Sequence, residues 1–324
     1  MGKREEQYNA FLEKVKDKSV IRYLHSGDMG DIVSSLPVIK EMSETLGKKG
    51  ILILDTTGGQ TVNDGPLNSL ITRNTNSRGL KFNHTSFEFI KPLLEVQPYI
   101  ESVEEYTDGS KPPDDIDLNL NAFRYFASNP KLNEMIYCNL MYCHQLASNV
   151  IFGYKGPFLE VPDGNKIPAR MIPLKKGIVS RSNRYHSSQV FLQTFTSMLH
   201  DFKFIGTDIE YEAFVDCISL RDRDQIPHVK VKNALEMAKL VKEAPLVFSN
   251  ATLLYWIAVG LEKPIIHELN SSSYVTNTIT PDYKKVFYIR NDKWLTFNPE
   301  TGKIDLERTL QEFFDRISAK DEKK

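Results

Sequence analysis

Two aspartates and two glycines stand close together near the start of the chain, in the stretch "YLHSGDMGDIVSSLPVIKEM" of residues 23–42. Gly27 and Gly30 permit a tight turn with positive φ, and Asp28 and Asp31 place two carboxylates in that turn. A carboxylate can take a proton from a hydroxyl group, so the turn is a candidate for general base chemistry. The alternative is that Asp31 caps the following helix and Asp28 shapes the turn. The stretch has neither the glycine pattern of a dinucleotide site nor the Lys-Ser or Lys-Thr of a P-loop.

The elements around this turn alternate between short apolar segments and amphipathic ones, which predicts parallel sheets covered by helices. We predict strands over residues 19–25, 50–55, 100–106, 116–121, 177–182, 202–207, 245–250 and 263–269. We predict helices over residues 30–47, 86–97, 133–152, 187–200, 209–218, 231–244, 252–262 and 305–317.

The best candidate for a domain boundary is the stretch 156–176, because it contains four of the 16 prolines. We therefore predict two Rossmann-like domains, residues 1–160 and 161–324, with a cleft between them. The last helix can pack back on the first domain. The polar segment 56–85 has little periodicity, and long loops of this kind are usually functional.

Composition favours some classes of protein over others and leaves a nucleic-acid partner open, although it gives that partner no support. The formal net charge of −1 gives no global basic field for nucleic acid, and no apolar run reaches the roughly 18 residues of a membrane span. The three cysteines suggest a reducing compartment, so we expect a cytoplasmic protein. Cys138, Cys143 and His144 resemble metal-ligand spacing, but their apolar helical pattern favours core packing.

Three motifs, taken in order, resemble the ADP-heptose:lipopolysaccharide heptosyltransferases and their relatives. A Gly-Asp turn leads into a helix with a Leu-Pro, matched by Gly30, Asp31, Leu36 and Pro37. The resemblance continues at "LLEVQPYIESVEEY" (93–106) and "VFSNATLLYWIAVGLEKPII" (247–266). It implies an α/β fold of the GT-B type, with two Rossmann-like domains whose parallel sheets face each other across a cleft.

The resemblance also implies a mechanism. The first domain holds mainly the acceptor and the second mainly a nucleotide-sugar donor, which is a substrate, so no cofactor and no metal are expected. Asp31 is the expected general base of an inverting glycosyltransferase. The expected residues on the acceptor side are Asp28 and Gly30 of the same turn, together with Asn121 and Arg124, which are candidates because they stand near the end of the predicted strand 116–121.

In the second domain, the resemblance implies residues that bind the donor. Arg181 stands near the end of the predicted strand 177–182 and Arg184 just beyond it. Both suit a diphosphate through the fork of their guanidinium groups; the alternative is that both lie on the surface. Carboxylates at a sheet edge often bind ribose, which makes Glu268 a candidate. The remaining donor-side candidates are Gly206, Ser249, Asn250 and Thr252, and the alternative for the last three is a simple helix cap.

The chain departs from the family pattern where that pattern commonly has Asp, Gly and a later His. Here these positions hold Ala251, Leu253 and Trp256, and we expect Trp256 to lie in the core. Three alternatives therefore stay open: a non-catalytic sugar- or nucleotide-binding module, a glycosyltransferase acting on a modified DNA base, and a sugar-nucleotide epimerase or hydrolase. The sugar, the nucleotide, the acceptor and the oligomeric state are not specified by these motifs.

Overall fold

The computed structural model describes residues 3–57, 82–108, 113, 115–127, 139–150, 154–162, 177–182, 199, 202–218, 226–269, 283, 285–290, 293–298 and 303–306. The chain divides into two compact units, one of Met1–Pro162 with Asn233–Leu235 and the other of Asp163–Lys232 with Glu236–Lys324. The domain bounds proposed from the sequence remain a prediction. None of the described helices is long and apolar enough to cross a membrane.

The first unit is built on a parallel sheet of four strands in the order β3-β2-β1-β4. Strand order therefore runs outward from β1 in both directions, as in a doubly wound sheet. The elements in chain order are α1 (Lys3–Val15), β1 (Ile21–His25), α2 (Met29–Leu46), β2 (Gly50–Asp55), α3 (His84–Glu95), β3 (Ile100–Tyr106), β4 (Leu118–Asn119), a 3₁₀ turn (Leu120–Ala122), α4 (Phe123–Ala127) and α5 (Leu140–Ala147).

The second unit contains a sheet of eight strands in the order β12-β11-β10-β9-β8-β5-β6-β7. Strands β5 to β10 pair in parallel, and β11 and β12 extend the sheet with antiparallel pairs. The elements are β5 (Gly177–Ser180), β6 (Phe202–Ile205), α6 (Asp208–Val215), β7 (His228–Val229), α7 (Ala234–Glu243), β8 (Val247–Ser249), α8 (Leu253–Gly260), β9 (Ile265–Glu268), β10 (Val286–Arg290), β11 (Lys293–Asn298) and β12 (Lys303–Leu306).

Three predicted elements differ from the structure. The strand predicted over 116–121 has only the two residues of β4, because the Asn119 side chain accepts the Asn121 N–H and turns the chain into the 3₁₀ turn. The helix predicted over 133–152 is not continuous, since Asn139 is extended and its side chain caps α5. Strands β10 to β12 were not predicted, and β12 covers the first two residues of the predicted last helix.

The first part of the predicted linker is bound to the first unit. The Gln97 side chain accepts the Glu160 N–H at 2.8 Å, and its amide donates to the Glu160 carbonyl at 3.1 Å. The Tyr99 hydroxyl donates to the Phe158 carbonyl at 2.5 Å. These bonds hold residues 154–162 against the end of α3 and the start of β3.

Candidate active site

The first candidate site lies in the first unit, where the strand order reverses between β1 and β4. Ligands of doubly wound sheets bind outside the carboxyl ends of the strands at such a reversal. The chain leaves β1 through Ser26, Gly27 and Asp28 and enters α2, while β4 leads into the 3₁₀ turn and α4. The predicted acceptor-side residues come from these connections.

The turn between β1 and α2 is a helix cap that also presents carboxylates. Asp28 is the N-cap of α2, and its N–H donates to the Asp31 carboxylate at 3.2 Å in a capping box. The N-cap is therefore Asp28 and not Asp31, and Asp31 completes the capping box from the first helical turn, which fixes its side chain.

The glycines of this turn are needed for a different reason from the predicted one. Gly27 does not have positive φ, and Gly30 is helical, so the prediction of a left-handed turn is wrong. A Cβ atom on Gly27 would lie 2.5 Å from the His25 ring and 2.6 Å from the Asp31 Cβ. Gly27 is thus required because His25 and Asp31 approach the backbone closely.

Asp31 lies beside a basic residue, as expected for residues grouped at one sheet edge. The Arg124 Nη2 is 3.4 Å from the Asp31 Oδ2, and the two side chains are 28% and 20% exposed. The Asp31 carboxylate is therefore accessible to a ligand while Arg124 orients it. The structure brings these two predicted residues together although 93 positions separate them.

Asn121 has a structural role in the same group. Its Oδ1 accepts the Ser26 N–H at 2.7 Å and the Ser26 hydroxyl at 2.8 Å, and the residue is buried. These bonds tie the exit of β1 to the exit of β4. Asn121 positions the turn that carries Asp31.

Sequence reasoning missed an aromatic cluster beneath Asp31. The Phe123 ring lies 5.5 Å from the His25 ring and 4.2 Å from the His144 ring, all buried. The His144 Nε2–H donates to the Asp31 carbonyl at 3.2 Å. Burial lowers the pKa of His144 to about 3, so this imidazole is neutral at physiological pH. The core position of Cys143 is confirmed, and Cys138 lies outside the described residues.

The second candidate site lies where the strand order of the second unit reverses, between β5 and β8. Arg181 follows β5 and Glu268 ends β9, and their side chains bind each other. Arg181 Nε donates to one carboxylate oxygen of Glu268 at 2.7 Å, and Nη2 donates to the other at 3.0 Å. Both residues are almost completely buried, at 3% and 1% exposure. The two predicted donor ligands thus form one bidentate ion pair.

The predicted anion turn after β8 is fixed by two further contacts. The Asn250 side chain accepts the Ser182 N–H at 3.0 Å and donates to the Ser182 carbonyl at 2.9 Å. The Ser249 and Thr252 hydroxyls are 2.7 Å apart, and Thr252 is the N-cap of α8. Asn250 therefore joins the exits of β5 and β8, and Thr252 stands at the start of the helix.

The other residues of the second unit with an expected role or position are Gly206, Trp256 and Arg184. Gly206 directly follows β6, and a Cβ atom there would lie 2.7 Å from the Phe204 ring. Just after Gly206, Thr207 and Glu210 form the capping box of α6. Trp256 is buried, which confirms its core position. Arg184 and most of the polar segment, residues 58–81, lie outside the described residues.

Within the described part of the chain, no group of three or more His, Cys, Asp or Glu is placed to hold a metal ion.

Comparison with known proteins identifies a shared fold. No family profile and no curated protein matches the sequence. The structure is similar to the E. coli ADP-heptose lipopolysaccharide heptosyltransferase II, with a TM-score of 0.54, 10% identity and coverage of 86% of this chain and 91% of the other. It is similar to a glycosyl transferase family 9 protein from Veillonella parvula, with a TM-score of 0.52, 9% identity and coverage of 85% and 86%. It is also similar to E. coli heptosyltransferase WaaC with ADP, with a TM-score of 0.51, 11% identity and coverage of 84% and 93%.

These likenesses confirm the predicted fold class, an α/β fold of the GT-B type with Rossmann-like parallel sheets. The predicted resemblance to heptosyltransferase-like proteins is thereby confirmed for the fold. At these identities the comparison carries no information on individual residues.

Proposed function

We propose that the chain is a glycosyltransferase that moves a sugar from a nucleotide-sugar donor to an acceptor hydroxyl. One observation carries the proposal. In each unit, the residues predicted for chemistry or anion binding lie where the strand order of a doubly wound sheet reverses, within a fold shared with glycosyltransferases. The donor is a substrate, and the proposed transfer is inverting and independent of metal.

In the proposed reaction, Asp31 is the general base. The acceptor hydroxyl gives its proton to the Asp31 carboxylate while its oxygen attacks the anomeric carbon of the donor sugar. The bond between that carbon and the diphosphate oxygen breaks, and the electron pair leaves with the nucleoside diphosphate. The capping box and Arg124 hold the carboxylate in one place, which is the arrangement a general base needs.

The donor is proposed to bind at the second unit, because a leaving diphosphate needs N–H donors and positive charge. Thr252 and the first turn of α8 offer a hydroxyl and backbone N–H groups. Arg181 Nε and Nη2 both bind Glu268. We therefore propose that Arg181 mainly fixes the orientation of the sheet edge at which the diphosphate binds. Arg184 remains the proposed direct phosphate ligand.

The nucleotide is proposed by analogy. A solved structure similar to this one holds ADP, so ADP is the first diphosphate to test. The proposed acceptor is a glycan or another hydroxyl compound, and a modified DNA base remains the less favoured acceptor. Ala251 and Leu253 keep the non-catalytic binding module as the alternative.

A thermal-shift screen with ADP, UDP, GDP, CDP and TDP tests the donor site. A ligand at 100 times its Kd stabilises the folded state by about 2.7 kcal/mol, so one diphosphate is expected to raise the unfolding temperature selectively. Arg184→Ala is expected to abolish the shift. Lys242→Ala is the matched control, because Lys242 lies in the last turn of α7, which leads to the opposite edge of the same sheet. Absence of a shift with all five diphosphates would contradict the proposed donor site.

A further inference from the structure

A second polar group lies on the sheet edge that carries Asp31, at the ends of β2 and β3. The Glu105 carboxylate accepts the Thr56 hydroxyl at 2.8 Å through one oxygen and lies 2.8 Å from the His84 Nδ1 through the other. Thr56 directly follows β2, Glu105 is the next-to-last residue of β3, and His84 begins α3. Three separate elements therefore converge on one carboxylate.

We propose that His84, Glu105 and Thr56 form a subsite that binds sugar hydroxyls of the acceptor, away from the hydroxyl that reacts. The proposal rests on the proposed function, because it assigns this edge to the same acceptor that Asp31 would deprotonate.

The imidazole of His84 is held in one tautomer. A carboxylate only accepts hydrogen bonds, so the contact with Glu105 requires Nδ1 to carry the proton. In the neutral ring, Nε2 on the opposite side is then an acceptor, and the side chain is 71% exposed. The Phe87 ring lies 6.5 Å away at an interplanar angle of 22°, which supports the face of the imidazole.

The chemistry of the subsite favours hydroxyl donors over anions. In the neutral His84 ring the Nε2 lone pair accepts hydrogen bonds, as the Glu105 oxygens do, and the carboxylate repels negative charge. The α3 N-terminus is partly satisfied, because the Asn83 side chain already accepts the Ser86 N–H. A sugar ring presents adjacent hydroxyl groups that match such a set of acceptors.

The subsite lies at a suitable distance from the proposed base. His25 of β1 pairs with Leu54 of β2, and Leu54 pairs with Glu105 of β3. Glu105 is therefore two strand spacings, about 10 Å, from the end of β1, where the turn to Asp31 begins. A disaccharide spans such a distance, so an acceptor could reach both groups.

The experiment follows the His84 ring Cε1–H signal by NMR in the full chain with labelled histidine, with assignment from His84→Gln. The probes are the methyl glycosides of glucose, galactose, mannose and N-acetylglucosamine, and separately inorganic phosphate. We expect at least one glycoside to move the His84 signal saturably. Glu105→Gln is expected to weaken this binding at least tenfold. Glu88→Gln, which changes an exposed carboxylate one turn further along α3, is expected to leave it unchanged.

Each of the remaining outcomes would overturn one part of the proposal. If no glycoside moves the His84 signal while a diphosphate stabilises the chain, the subsite is wrong and the donor site stands. If glycosides move the signal but no diphosphate binds, the acceptor role is overturned. If phosphate moves the signal and glycosides do not, the group is an anion site. An unchanged unfolding temperature for Glu105→Gln shows that a loss of binding is not a loss of folding.

Discussion

Replacing Glu268 by glutamine leaves the Arg181 guanidinium buried without its negative partner. The pair is bidentate, with N–O distances of 2.7 and 3.0 Å, and the two side chains are 3% and 0% exposed. Removing one member of such a buried pair typically costs about 3–5 kcal/mol, because the remaining buried charge loses its opposite charge. We expect a loss of this size in the free energy of unfolding of the second unit.

Urea unfolding followed by tryptophan fluorescence measures this loss. Both tryptophans of the chain, Trp256 and Trp294, belong to the second unit, so the signal reports on that unit. With an m-value of about 2 kcal/mol/M, a loss of 3–5 kcal/mol lowers the urea midpoint by roughly 1.5–2.5 M.

Glu262→Gln is the matched control for this experiment. Its partner Lys285 is 3.7 Å away, and both side chains are more than a third exposed. Such surface pairs contribute about 0–1 kcal/mol, so the midpoint should barely move. The double variant Arg181→Met/Glu268→Leu is expected to recover most of the stability, since it removes both buried charges. A midpoint for Glu268→Gln that equals the midpoint for Glu262→Gln would refute this reasoning.

Two further predictions concern buried side chains of the second unit, and a third concerns the segment 154–162 of the first unit. Asn250→Ala should lower the stability of the second unit by about 1–3 kcal/mol in the same urea assay, because the buried Ser182 N–H and carbonyl both lose their partner; a loss below 0.5 kcal/mol would contradict this. Burial lowers the pKa of His267 to about 3, from 6.5 in the unfolded chain, so unfolding takes up a proton between these pH values. Stability is therefore full above pH 6.5 and falls as the pH drops toward 3, by up to about 1.4 kcal/mol per pH unit; His267→Phe should reduce this slope, and an equal slope would show that other groups cause it. Gln97→Ala should increase trypsin cleavage at Lys155 by roughly tenfold or more, because it frees the segment bound through Glu160; unchanged cleavage would show that Gln97 does not limit opening.

The sequence was sufficient to group several residues of each candidate site, because position along a parallel strand determines which sheet edge a residue reaches. The carboxyl ends of β1 and β4 meet, so Asp31, Asn121 and Arg124 could be grouped although they lie far apart in the chain. The same argument placed Arg181, Asn250 and Glu268 at one edge of the second sheet. The starts of α2 and α6 were predicted to within one residue, at 30 and 209 against Met29 and Asp208.

Which side chains bind each other within each candidate site could not be predicted from the sequence. Arg181 and Glu268 lie 87 positions apart, and either could equally have faced a ligand. The packing of His25 and His144 against Phe123 depends on how α5 covers the sheet, which periodicity does not specify. The strands β10 to β12 were missed although β10 (VFYIR) and β11 (KWLTFN) are rich in the β-branched and aromatic residues that favour strands.

The proposed transfer is tested most directly by measuring diphosphate release from the nucleotide-sugar whose diphosphate stabilises the chain. Release is measured with and without glycan acceptors, for the wild type and for Asp31→Asn, which keeps an oxygen acceptor for the Asp28 N–H. We predict release that depends on the acceptor and falls at least about 100-fold in Asp31→Asn, with diphosphate binding unchanged. Diphosphate binding without release under any condition, or equal rates in the two proteins, would contradict the proposal that this chain is a glycosyltransferase with Asp31 as its base.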